Sequence, residues 1–119
     1  MTRGVKAIRL TKQNWGPDAL RDPETKKMCC LGIFGEACGV DLTKMDNLGM
    51  PNEVEAVAQK SFPKWLFEDR APSKDAALLA GANDHYFSHA DAGAREIDKR
   101  IIRKTFAKHG VRVTFARGL

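Results

Sequence analysis

The sequence predicts an α+β domain, a small antiparallel sheet packed with four to five helices, from three observations. Apolar residues recur at helical spacing through Ala94, Ile97, Ile101, Ile102 and Phe106. They alternate at strand spacing in Val111, Val113 and Phe115. Strand-like segments flank the helical ones at either end instead of alternating with them, which points away from a βαβ arrangement. The 119 residues suit one globular domain over 1–119, long enough to bury a core without disulfide or metal staples.

The elements follow in order. Val5 to Trp15 fits a short helix or strand, and Asn14-Trp15-Gly16-Pro17 marks a turn. Ala19–Arg21 and Lys27–Cys29 flank the turn-rich Asp22-Pro23-Glu24-Thr25-Lys26 and read as an N-terminal β-hairpin. Leu31 to Cys38 reads as a helix stopped by Gly39. Pro51 suits the first residue of the next helix, with Glu53 and Glu55 at its positive end and Val54, Val57 and Ala58 on one side. Pro63 opens a turn in which Trp65, Leu66 and Phe67 plug the core; Trp15 and Trp65 are core or core-rim residues. Ser73 caps a helix from Lys74 to Ala82 that Asn83-Asp84 ends. Ser88 or Asp91 starts the longest helix, which runs to about Lys108, and Gly110 stops it before the C-terminal strand.

Charge and cysteine usage narrow the function classes. The net charge is +5, and Arg95 to Leu119 hold eight Lys or Arg against two acids, so the basic excess lies in the last fifth. Such an end suits an acidic partner, protein or nucleic acid. No apolar run approaches the ~20 residues of a membrane span, and the first residues lack the apolar stretch of a signal peptide, so the expected location is cytoplasmic and no membrane partner is expected. Three cysteines, two of them adjacent, make a poor disulfide framework.

The doublet Cys29-Cys30 is the residue pair on which an enzyme reading turns. Either thiol at a helix N-terminus, near Lys26 and Lys27, would have its thiolate favoured. His85 or His89 would be the base, with Asn83 or Asp84 to orient it. The competing reading is small apolar packing, because free cysteine is among the most buried residue types. Zinc would need Cys29, Cys30 or Cys38 with His85 and His89, but no Cys-x-x-Cys is present and adjacent cysteines rarely share one ion, so no metal and no cofactor is expected. The third candidate is basic. Arg100, Lys104 and Lys108 share a helix face, Lys99 and Arg103 lie beside them, and Arg112 and Arg117 extend the patch on the strand that follows. Its competing reading is a solvated face.

The segments Ala19-Leu20-Arg21-Asp22, Lys27-Met28-Cys29-Cys30-Leu31-Gly32, Ala37-Cys38-Gly39, Gly49-Met50-Pro51 and Leu79-Ala80-Gly81-Ala82-Asn83-Asp84 together resemble a widespread set of small uncharacterised phage and prophage proteins. The resemblance spans about Ala19 to Phe115, and departs from the set at Gly81-Ala82 and at His85-Tyr86-Phe87-Ser88-His89. It implies phage origin and a host-cytoplasm location, and assigns no activity to any residue. The expectation is a small phage accessory protein, non-enzymatic, that binds a host component for take-over or counter-defence. The alternatives are nucleic-acid binding through Lys99, Arg100, Arg103, Lys104, Lys108 and Arg112, and a cysteine-dependent enzyme.

Overall fold

The computed structural model describes residues 4–88 and 91–119. Strand β1 (Ala7–Leu10) turns Ile8 and Leu10 inward and leaves Ala7 and Arg9 exposed, the alternation of a strand with one wet face. Its neighbour is β4 (Arg112–Phe115), and the two run parallel, with Ile8 opposite Val113 and Arg9 opposite Thr114. This corrects the expected antiparallel sheet of hairpin plus C-terminal strand. Residues 19–29 form a turn with no regular strand on either side. The Asp22 carboxylate accepts the Glu24 N–H, the Lys26 N–H donates to the Asp22 carbonyl, and Lys26 adopts φ +66°. Two backbone bonds link the flanks, from the Asp22 N–H to the Lys27 carbonyl and from the Cys29 N–H to the Ala19 carbonyl, but between them the Leu20 N–H donates to the Leu48 carbonyl, and Met28 bridges Trp15. The antiparallel pairing lies at β2 (Phe67–Glu68) and β3 (Ala71–Pro72), turned by Asp69 at φ +58°.

Helix α1 (Cys30–Ala37) starts one residue before its expected position and ends on Cys38, with Gly39 in the left-handed region at φ +97°. Its first six residues are buried. The helix expected from Pro51 breaks in two: a 3₁₀ turn at Pro51–Glu53, extended backbone at Val54 and Glu55, then the short α2 (Ala56–Gln59). The Gln59 side chain stabilises the break by donating to the carbonyls of Asn52 and Val54. Val54 enters the core, but Val57, expected on the same side, is exposed. In the turn Lys64–Leu66, Leu66 is fully buried, while Trp65 and Phe67 are partly so.

Helix α3 (Lys74–Ser88) opens on the Ser73 cap, whose hydroxyl accepts the Ala76 N–H. It continues past Asn83-Asp84, where the sequence predicts a stop, because the Asn83 side chain bonds into the core and not to its own backbone. Helix α4 (Ala92–Lys108) starts on Asp91, which accepts the Gly93 N–H. It buries Asp98, Ile102, Thr105 and Phe106, and Ile97, predicted for the core face, lies outside. Gly110 at φ +80° turns the chain into β4.

Two aromatic groups anchor the interior. Trp15 packs on Tyr86, Phe87 and Phe115, and Phe106 packs edge-on against Phe34 and Trp65. Asn83, fully buried, ties the first group to α1: its Oδ1 accepts from Trp15 Nε1 and from the Cys30 N–H at 2.9 Å, and its Nδ2 donates to the Gly16 carbonyl. No described helix is long and apolar enough to cross a membrane.

Candidate partner-binding site

The cysteine doublet sits at the N-terminus of α1, with Cys29 as the cap residue. The amides of Leu31 and Gly32 favour its thiolate, but burial outweighs them and pushes the Cys29 thiol up to about 11. Burial, with Cys29 alongside, pushes Cys30 well above its ordinary value, and its Sγ donates to the Leu79 carbonyl of α3. Burial also raises Cys38, to about 11. At neutral pH all three are thiols, and a thiolate nucleophile is not on offer. The other proposed members of a catalytic set are engaged in the fold. Asp84 accepts the Asp18 N–H, and His85 Nδ1 lies 2.7 Å from Asp98 Oδ2 across the α3–α4 contact. His89 lies outside the described residues. Among the described residues no three His, Cys, Asp or Glu side chains gather as metal ligands would.

A consequence follows for alkaline pH. The folded Cys29 keeps its proton through pH 9 to 11, whereas the unfolded thiol loses it near 9. Stability is therefore fully present below pH 9 and falls as pH rises to 11, by on the order of 2–3 kcal/mol from this residue. Urea unfolding at pH 7.5 and 10.5 should show a drop at least that large, because Cys30 and Cys38 shift the same way, and Cys29→Ala should make it smaller without abolishing it. At pH 7 a disulfide reagent should find no fast thiol in the native protein.

The basic helix stripe is divided by its contacts. Lys99 is mostly covered: its Nζ donates to the Leu119 backbone oxygen at 2.7 Å, pairs with Glu96 and lies over the Phe115 ring. Lys108 pairs with Asp75, whose carboxylate is held below its ordinary range by hydrogen bonds from His109 and Lys108. Arg103 stacks over Phe115. Arg112 is exposed on β4. Arg100 and Lys104 are exposed, and none of the ion pairs among the described residues involves them.

Helix α4, which carries Arg100 and Lys104, also forms one wall of an apolar groove. Leu78, Gly81 and His85 of α3 face Ile97, Asp98 and Ile101 of α4 across an open cleft of about 420 Å³. Leu78 is 47% and Ile97 54% exposed, and among the described residues these two stand with Val57 as the exposed large apolar side chains. Arg100 and Lys104 follow Ile97 by three and seven residues, so they stand on its side of the helix. Gly81 has no atoms within 4 Å of where a Cβ would sit, which keeps the α3 wall low. Fully covering Leu78 and Ile97 would contribute on the order of 2–3 kcal/mol, too little for tight binding without the charges beside them.

The sequence reading missed this groove because it placed Ile97 in the core and passed over Leu78. No family model matches the chain, and no curated protein and no solved structure matches it.

Proposed function

We propose that this chain is a non-enzymatic phage accessory protein that acts in the host cytoplasm by binding a host protein, and that the α3–α4 groove is where the partner docks. The partner's docking element is an amphipathic helix with acidic residues beside its apolar face. The observation that carries the reading is the pair of half-exposed apolar side chains, Leu78 and Ile97, facing each other over the groove, with the exposed Arg100 and Lys104 one and two turns further along α4 from Ile97. Apolar anchors give such a contact its affinity, and the neighbouring charges select an acidic helix and reject a basic one. The raised thiols weigh against the cysteine-enzyme alternative.

Calorimetric titration tests the reading with two synthetic helices that share leucines at i, i+4 and i+7. One carries glutamates on the flank and the other lysines. The acidic helix should bind, and Ile97→Asp or Leu78→Asp should weaken it at least tenfold. Arg100→Glu with Lys104→Glu should do the same. Equal binding of the lysine helix, or no effect of Ile97→Asp, would overturn the proposal. A photocrosslinker placed at Ile97 then identifies the host protein.

A further inference from the structure

Parallel pairing of β1 with β4 joins two stretches of sequence that contain no acid at all. Residues 1–17 include Lys6, Arg9 and Lys12 but no Asp or Glu, and residues 99–119 include Arg103, Arg112 and Arg117 but no Asp or Glu. The register puts Ala7 opposite Arg112 and Arg9 opposite Thr114, and all four are exposed, so Arg9 and Arg112 stand as diagonal neighbours on the outer face. The Arg112 N–H donates to the Lys6 carbonyl, which holds Lys6 at one end. At the other end the Lys12 ammonium lies over Gly118, beside Arg117: a Cβ on Gly118 would sit 3.4 Å from Lys12 Nζ. Arg103, over the Phe115 ring, lies on the α4 side of the sheet and not on this outer face. None of the salt bridges among the described residues uses any of these six side chains.

We infer that this sheet face is a binding site for the phosphodiester backbone of duplex nucleic acid, separate from the α3–α4 groove. Like charges side by side across a strand pair work against folding, and a row of phosphates laid over them turns that repulsion into attraction. The chemistry selects against a protein partner here, because among the described residues the exposed large apolar side chains, Val57, Leu78 and Ile97, all lie elsewhere and supply this face with no apolar interface core. It also selects against base stacking on single strands: Phe115, half-buried on β4, is covered by Lys99 and Arg103. Recognition is therefore of backbone and is independent of sequence. The sequence alone assigned nucleic-acid contacts to the α4 stripe with Arg112 and Arg117 extending it; the proposed face keeps Arg112 and Arg117 and adds Lys6, Arg9 and Lys12.

Fluorescence anisotropy with a labelled 20-base-pair duplex of arbitrary sequence tests it, using the whole chain. With about four phosphates neutralised, affinity should fall about a hundredfold between 50 and 200 mM salt. Arg9→Glu with Arg112→Glu should weaken binding more than tenfold, Arg9→Lys with Arg112→Lys should restore it to within about threefold, and Lys60→Glu with Lys74→Glu, an equal charge change elsewhere, should leave it nearly unchanged. Two exposed strand positions should not alter the melting temperature, and Arg9→Gln with Arg112→Gln gives a milder variant should the reversal fail to fold. Duplex binding unaffected by the Arg9 and Arg112 changes, weakening by the Lys60 and Lys74 control to the same degree, or preference for a single strand or for vesicles of anionic lipid would each overturn the inference. Failure of the acidic helix to bind the groove leaves these results untouched, so the two proposals fail separately.

Discussion

Replacing Gly32 by alanine is expected to cost roughly 4 kcal/mol or more, most of the stability of a domain this size. A Cβ at that position would sit 1.8 Å from the Leu20 carbonyl oxygen and 2.7 Å from its carbon. Both are backbone atoms, so no rotamer change relieves the overlap. The Leu20 segment is itself fixed, its N–H donating to the Leu48 carbonyl, and Gly32 lies in the first turn of a buried helix. Something must move as a unit, and tightly packed interiors resist that. Urea or thermal unfolding reads the outcome, a fall in melting temperature of about 15 °C or failure to fold. Gly81→Ala is the internal contrast: the space around it is open and it lies within α3, so alanine should be neutral or add up to about 1 kcal/mol of stability. Gly32→Ala within about 1 kcal/mol of the parent would show that the close approach is not there.

Asn83→Ala is expected to cost about 3–5 kcal/mol. Three hydrogen bonds end on this buried side chain, and its loss strands the Trp15 indole N–H and the Cys30 N–H in a dry interior. Each orphaned donor costs about 1–3 kcal/mol. Trp15→Phe removes one donor and its bond together. The double variant should therefore be less damaged than the sum of the two single ones, by about 1–2 kcal/mol. Additive losses would mean that Asn83 and Trp15 act independently.

These two residues explain why the sequence carries its signature segments. Gly32 closes the Cys-Cys-Leu-Gly run because α1 crosses the Leu20 backbone there, and Asn83 opens Asn-Asp because it reaches back to the amide of Cys30. The Ala19–Asp22, Lys27–Gly32 and Leu79–Asp84 segments thus meet in one packed joint. Helix positions were legible from apolar spacing and stop signals: α1, the start of α3 and the whole of α4 lie within a residue or so of expectation. The end of α3 was not, since Asn is read locally as a breaker and only the tertiary contact makes it a helix residue. The sheet was misread because a parallel partner distant in sequence leaves no local turn to betray it. The groove was hidden by a polar core position, since burial of Asp98 against His85 leaves Ile97 outside. The basic residues themselves were plain, but their grouping was not: a linear count sees one charged end where the fold makes two faces.

The parallel strand pair also sets an order of events. Ile8 meets Val113 across about a hundred residues of chain, so closing that loop is entropically expensive and slow compared with forming the α3–α4 hairpin. During synthesis β1 emerges long before its partner exists, and its arginine has no neighbour to align with. The cationic face is therefore a late product of folding, absent from the nascent chain and from any truncation that stops before Arg112. A polyanion that prefers the finished face would act as a ligand for the native state alone, and raise its stability by mass action.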